Sequence, residues 1–206
     1  MKSLLFFIRK IYPETMYTEV KRQCSEELYA LSKDIEELSY RDIKKWINTP
    51  VDYLTDNDKI KVSYVLFKDA LLMETQSKHG LKRAVQALEY LEQVSSNLEL
   101  VHALCSSIYL FLALNSKSKN QRKFILLATS SLNEIRSPSF ENFKEAQKAI
   151  CYWSLNEPER VITIFQKACK KGNMIKNGNL ILSKIFAFRG HDSASQFYYQ
   201  RYMNAS

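Results

Sequence analysis

The fold is decided by two stretches of sequence that line up at a shift of 34 positions: NFKEAQKAICYWSLNEPERVITIFQKACKKGNMI (residues 142–175) and KNGNLILSKIFAFRGHDSASQFYYQRYMNAS (residues 176–206). At this shift, called the repeat shift below, the aromatic Tyr152 matches Phe186. A self-similarity of this length is typical of helix–turn–helix units that stack on their neighbours. The sequence therefore predicts two consecutive helical hairpins between residues 142 and 206.

Glycine and proline are scarce throughout the chain. Only four of each occur among the 206 residues, whereas hydrophobic residues make up 46% of the sequence. This hydrophobic content is enough for a core of ordinary size, but sheet-rich folds need many more turn residues than this chain has. The composition therefore predicts an all-α domain of stacked antiparallel helical hairpins.

Helical periodicity extends upstream of the repeat. Apolar residues recur in steps of three or four from Tyr17 to Leu38, which indicates one long amphipathic helix. Asp56 or Asn57 is the expected N-cap of the next long helix. The predicted helices are residues 3–12, 17–38, 39–47, 60–77, 81–94, 98–114, 121–134, 140–154, 158–171, 177–189 and 191–203.

The connections between the later helices are short. Turns are predicted at residues 77–80, 115–120, 137–139, 156–158 and 172–173. Loops of this length make consecutive helices antiparallel neighbours. We expect one structural domain, in which N-terminal helices in residues 1–56 pack on or cap a repeat region formed by residues 57–206.

The unit at residues 142–175 resembles a tetratricopeptide repeat. That family places small residues where its two helices cross and large apolar residues between successive hairpins. The residues at those positions are Ala149, Tyr152, Val161, Phe165 and Ala168 in this unit, and Ser183, Phe186, Ser195, Tyr199 and Tyr202 in the next. Tyr202 departs from the pattern, as terminal units commonly do. Residues 60–94 and 98–135 match more loosely. The resemblance implies a short solenoid that binds a partner.

Some tetratricopeptide proteins hold the terminal carboxylate of a peptide with Lys and Asn side chains on the first helix of each hairpin. The matching positions in this chain are mostly apolar, so such a carboxylate clamp is not expected. An apolar groove suits an amphipathic helix or an extended apolar segment instead. The resemblance implies the groove residues Phe143, Ala146, Ile150, Leu180 and Lys184.

Basic residues cluster in the turns within the hairpins. In a solenoid such turns line up along one edge, where they form a basic rim that an acidic peptide or a nucleic-acid backbone fits. The alternative is that these are ordinary solvated turns of a basic protein. The turns contain no interleaved aromatic residues for stacking on single-stranded bases. The rim residues are Lys78, Lys82, Arg83, Lys117, Lys119, Arg122, Lys123 and Arg189.

No constellation of residues predicts catalysis or cofactor binding. The chain has no glycine-rich phosphate loop, no HExxH, no GxSxG and no metal-spaced His or Cys group. Its histidines are far apart: His79, His102 and His191. The cysteines form no CxxC pair, sit among apolar residues and indicate a reducing compartment: Cys24, Cys105, Cys151 and Cys169. We therefore expect neither an enzyme nor a bound metal or cofactor.

The charge and the N-terminal segment bear on location and partners. The net charge is +8, which permits an acidic partner. The apolar run before Arg9 is too short for a signal peptide, and no later run is long enough to span a bilayer, so a soluble, cytoplasmic protein is expected. Residues 3–12 are expected either to pack on the protein body or to lie on a membrane surface.

These observations favour a non-enzymatic adaptor or scaffold that binds a segment of another protein in an apolar helical groove. One alternative is a nucleic-acid-associated or regulatory protein that uses the basic rim. Another is a cytoplasmic chaperone or adaptor of a secretion or membrane machine, with residues 3–12 as the contact.

Overall fold

The computed structural model describes residue 38 and residues 40–73, 78–95, 98–115, 118–155, 157–170 and 178–204. Every regular element in these ranges is helical, which confirms the all-α prediction for the described part of the chain. The predicted helix at residues 3–12 lies outside it, and so does the predicted helix at residues 17–38 except for its last residue.

Nine α-helices lie within the described ranges. They are α1 Tyr40–Ile47, α2 Asp56–Leu72, α3 Lys78–Leu91, α4 Glu99–Asn115, α5 Ser118–Glu134, α6 Glu141–Ser154, α7 Pro158–Lys170, α8 Gly178–Phe188 and α9 Asp192–Met203. Single turns of 3₁₀ helix occur at Val51–Tyr53 and Pro138–Phe140. Each α-helix coincides with a helix predicted from the sequence, and the differences are confined to helix ends.

Helix α2 begins with a capping box at Thr55. The Thr55 hydroxyl accepts a hydrogen bond from the Asp58 backbone N–H at 3.2 Å, and the Asp58 carboxylate accepts one from the Thr55 N–H at 3.3 Å. These bonds satisfy donors that are otherwise unpaired at the start of a helix. The prediction that Asp56 or Asn57 caps this helix is therefore wrong, since both residues lie within α2.

Helix α3 begins at Lys78, so Gly80 is helical and not part of a turn at residues 77–80 as predicted. Gly80 is buried, and a Cβ atom added to it would lie 3.4 Å from the carbonyl oxygen of Ala70 and 3.5 Å from the Cβ of Met73. These are ordinary van der Waals distances, so the start of α3 packs closely on the end of α2.

The chain divides into two compact units, Met1–Phe140 and Glu141–Ser206. Helices α1 to α5 belong to unit 1, and helices α6 to α9 belong to unit 2. The division predicted at residue 56 stays a prediction, because residues 1–37 are outside the described part of the chain.

Unit 1 contains two stacked hairpins, α2–α3 and α4–α5, and α1 packs on α2. Helix α4 contacts both α2 and α3. The rings of Phe67 and Phe111 meet edge to face with their centroids 6.0 Å apart. Phe67 and Phe111 each lie in the C-terminal half of their helix. This placement indicates that α2 and α4 run parallel. The largest fully buried side chains of this unit are Ile43, Ile60, Leu66, Leu104, Ile108, Leu110, Ile125, Leu132 and Ile135.

Polar contacts show which helix ends meet in unit 1. At the start of α2, the Asp56 carboxylate accepts hydrogen bonds from the N–H and hydroxyl of Ser95, beyond the end of α3, at 3.1 and 2.8 Å. At the start of α4, one Glu99 oxygen accepts hydrogen bonds from the N–H groups of Arg136 and Ser137, beyond the end of α5, at 2.8 Å. We call this the latch end of unit 1. Helices α3 and α5 begin at the opposite end, the turn end.

Unit 2 also contains two hairpins, α6–α7 and α8–α9, and α7 packs against α8. At its edge the rings of Phe186 and Tyr198 stack with centroids 5.4 Å apart, and the Tyr198 hydroxyl accepts a hydrogen bond from Gln166 at 3.2 Å. The core of the unit is formed by Ala149, Val161, Ile162, Phe165, Leu182 and Ile185.

The repeat shift seen in the sequence is present in the backbone of unit 2. The Glu157 N–H donates to the Tyr152 carbonyl at 2.8 Å, and at the equivalent place in the next hairpin the His191 N–H donates to the Phe186 carbonyl at 2.9 Å. The last residues of α6 and α8 are separated by the same shift, and so are the first residues of α7 and α9. The two hairpin turns are therefore structurally equivalent.

Candidate binding surfaces

A cleft of about 410 Å³ opens between α8 and α9 in unit 2. One face of α8 lines it with Leu180, Lys184 and Ala187, which are spaced four and seven residues apart and so share one side of the helix. Leu182 and Ile185 lie on the other side of α8 and pack into the core of unit 2. Helix α8 therefore separates the core from the cleft.

The residues of α9 that line the cleft have equivalents on α7 of the preceding hairpin. At the repeat shift Tyr199 corresponds to Phe165, which is 2% exposed in the core, whereas Tyr199 is 49% exposed. Ser195 likewise corresponds to the buried Val161, and its hydroxyl lies 3.2 Å from that of Ser183. The cleft is therefore the equivalent of the surface that α8 covers on the preceding hairpin, here uncovered and more polar.

Large apolar side chains are exposed around the cleft hairpin. Phe188 is 81% exposed and Phe197 is 53% exposed, and Met203 is also open to solvent. Lys184 is exposed, and no residue that the structure describes forms an ion pair with it. The cleft thus has a mixed lining that includes the exposed Lys184, and its hairpin also exposes large apolar side chains.

The structure brings two of the five predicted groove residues together, since Leu180 and Lys184 both line the cleft. Phe143 is 1% exposed and Ile150 is half-buried, and neither lines it. The side chain of Ala146 lies outside the described residues.

Sequence reasoning missed most of the cleft lining. Ala187 continues the spacing of Leu180 and Lys184 along one side of α8, so the sequence does contain a signal for it. Ser195 and Gln196 on α9 carry no such signal, because polar residues on a helix have the same pattern whether they face solvent or a cleft.

Four predicted rim cations are exposed at the turn end of unit 1. Lys78 and Lys82 lie in the first two turns of α3, and Arg122 and Lys123 lie in the first two turns of α5. Helices α3 and α5 begin at the same end of the unit, so the structure brings these four side chains to one end.

The other predicted rim residues are placed differently. The Arg83 guanidinium donates to the Tyr40 hydroxyl at 2.6 Å, lies 3.4 Å from an Asp69 carboxylate oxygen and covers the Tyr40 ring. The Arg83 guanidinium thus makes these contacts with residues of unit 1. Arg189 pairs with Glu159 inside unit 2. Lys117 and the side chain of Lys119 are outside the described residues.

Two partly buried groups with strongly raised pKa values lie on helix α4 of unit 1. Burial raises the pKa of the Cys105 thiol to about 12, and the nearby Glu92 carboxylate adds to the effect. Burial also raises the pKa of Tyr109 to about 12, with further contributions from Cys105 and from a hydrogen bond to Glu92. Both groups are therefore protonated at neutral pH. The described residues contain no group of three His, Cys, Asp or Glu side chains placed to hold a metal ion.

Cys105 is expected to resist alkylation in the folded protein. The thiolate is the reactive form, and a pKa of about 12 in place of 9.0 lowers its population at neutral pH about a thousand-fold. Iodoacetamide labelling followed by peptide mass spectrometry measures the rate. The urea-unfolded chain is the control and should label at the ordinary rate of a free cysteine. Equal rates in the folded and unfolded chains would contradict the prediction.

Within the described part of the chain, no helix is both long and apolar enough to cross a membrane. Comparisons with protein-family models, curated proteins and solved structures find no match to this chain. Its function must therefore be inferred from its own surfaces.

Proposed function

We propose that the protein is a non-enzymatic, tetratricopeptide-like interaction module whose α8–α9 cleft binds a helical segment of a partner protein. The observation that carries the proposal is the α8–α9 cleft, which Tyr199 lines, on a hairpin that also exposes Phe188 and Met203. Large apolar side chains exposed on the hairpin that forms a cleft are typical of an interaction site.

The tetratricopeptide-like architecture is supported by unit 2. Its hairpins follow the repeat shift in both the sequence and the turn hydrogen bonds. Ala149 and Val161, which match the small positions of that family, are both buried in the core between the helices. Small side chains at such positions let two helix axes approach closely.

Helix α8 itself indicates what kind of partner fits the cleft. It packs Leu182 and Ile185 against Phe165 of the preceding hairpin. The equivalent of Phe165 in the cleft is Tyr199, so an amphipathic helix that presents two such aliphatic side chains would pack there as α8 packs on α7. Ser195 replaces the apolar Val161 at the equivalent position, and this more polar lining favours a partner that binds reversibly.

Lys184 favours a partner helix that carries a negative charge. At the repeat shift it corresponds to Ile150, so the cleft carries a cation where the preceding hairpin is apolar. A carboxylate on the partner helix would pair with the exposed ammonium group. Charges at the edge of an interface govern orientation and association rate more than affinity.

Filling the cleft should strongly weaken binding of the partner segment without unfolding the protein. Ala187 is exposed and lines the cleft, so Ala187→Arg places a long charged side chain where the partner helix would pack. A photoreactive phenylalanine analogue at Tyr199 identifies the partner segment, and fluorescence anisotropy with the labelled segment measures its affinity. We expect Ala187→Arg to weaken binding by about a hundred-fold, equivalent to about 2.7 kcal/mol.

Ser193→Arg is the matched control, because Ser193 is exposed on α9 but does not line the cleft. It introduces the same side chain and should bind the segment as the unmodified protein does. If Ala187→Arg also binds normally while remaining folded by circular dichroism, the cleft is not the binding site.

A further inference from the structure

Positive charge is concentrated at the turn end of unit 1. Among the side chains that the structure describes there, six are cationic and one, Asp69, is acidic; the cations are Lys68, Lys78, Lys82, Arg83, Arg122 and Lys123. The turn end therefore carries a net positive charge.

The exposed cations at the turn end are not neutralised by the one acidic residue described there. Asp69 is paired with Arg83 at 3.4 Å. Lys82, Arg122 and Lys123 remain exposed, and no described residue forms an ion pair with them. The positive surface at this end is therefore open to a ligand from solution.

The placement of these cations does not serve helix stability. The N-terminus of a helix carries partial positive charge and is stabilised by acidic side chains. Helices α3 and α5 have no acidic residue in their first turns, and these turns contain Lys78 and Lys119 instead. An anion bound at the turn end would relieve this repulsion.

We propose that the turn end of unit 1 binds the phosphate backbone of a nucleic-acid duplex. Cations on two parallel helices, α3 and α5, form a broad positive surface suited to successive phosphates, which interact with proteins mainly through charge. This inference concerns unit 1 and does not depend on the partner site proposed in unit 2.

The composition of the turn end favours a duplex over other anionic partners. Its described residues expose no Phe, Tyr or Trp ring, so apart from the His79 imidazole the bases of a single strand have no platform for stacking. Leu72 and Leu126 are exposed there, but a membrane-binding surface needs a larger apolar face beside its cations.

The test is fluorescence anisotropy of the full chain with a labelled duplex DNA at several salt concentrations. The variant Lys82→Glu, Arg122→Glu, Lys123→Glu removes three exposed cations from the turn end. Each phosphate contact contributes about 0.9 to the slope of log K against log salt, so the variant should flatten this slope by about 3 and weaken binding at low salt.

The matched control is Lys44→Glu, Lys167→Glu, Arg201→Glu, which makes the same change in net charge at exposed positions outside the helix segments that form the turn end. It should bind the duplex more tightly than the turn-end variant and retain most of the salt slope. Equal losses in the two variants would assign binding to net charge alone and overturn the proposal. So would tighter binding of polyglutamate or of anionic phospholipid vesicles than of the duplex. Ala187→Arg should leave duplex binding unchanged, so the two proposals fail separately.

Discussion

Replacing Phe165 by alanine should lower the free energy of unfolding by about 3–5 kcal/mol. The Phe165 ring is 2% exposed and lies in the core of unit 2 with Val161, Leu182 and Ile185. Removing the ring loses the free energy gained by transferring it from water into the core. It also leaves a cavity between α7 and α8, because two helices held in a packed unit close only partly around the missing ring. Urea denaturation of the full chain, followed by circular dichroism, measures the loss.

Phe197→Ala is the control for this prediction. It removes the same ring from α9 of the same unit, but Phe197 is more than half exposed and its ring is covered by Arg201. Substitutions at such surface positions usually change stability by about 0.5 kcal/mol or less. Similar losses in the two variants would show that the Phe165 ring is not an essential part of the core.

Replacing Glu99 by alanine should cost about 1.5–3 kcal/mol, the range for hydrogen bonds to a charged group. One carboxylate oxygen of Glu99 accepts from the N–H groups of both Arg136 and Ser137. Alanine removes that acceptor, so the hydrogen bonds that join the start of α4 to the segment after α5 are lost. The same denaturation experiment measures the change.

Two further variants separate charge from hydrogen bonding at this position. Glu99→Gln keeps an oxygen acceptor of the same shape, so it should retain part of the stability that Glu99→Ala loses. Glu134→Ala removes an exposed carboxylate near the end of α5 and should be almost neutral. If Glu99→Ala is no more destabilising than Glu134→Ala, the hydrogen bonds that Glu99 accepts do not stabilise the fold.

The helices of the described residues were predictable because their apolar periodicity is strong. Their ends were less so, since an end depends on a few side-chain contacts with the backbone. The pair Thr55 and Asp58, three positions apart, is a signal for a capping box that the sequence contains. Gly80 was predicted to mark a turn because glycine is common there, but it is a buried residue of α3 beside the end of α2.

The candidate sites were predictable only in part, because periodicity identifies an apolar face without showing what covers it. Phe143 and Tyr199 are both aromatic residues at helical spacing, yet the first is buried and the second is half exposed. The covering elements are distant in sequence. The hydrogen bonds of Glu99 were not predictable for the same reason. Their two backbone donors lie beyond the end of the following helix, so the sequence around Glu99 carries no signal for them.

The equivalence of the two hairpin turns makes unit 2 modular. The segment from Pro158 to His191 spans one full repeat, starts just after one turn and ends with the next. A second copy inserted after His191 would create one new junction, from His191 to Pro158, at a place equivalent to the native Glu157–Pro158 junction, and would end at the native His191–Asp192 junction. Unit 2 is therefore suited to growth by whole hairpins, as repeat proteins are. After such growth the cleft hairpin would still be the last one, displaced along the chain by one module.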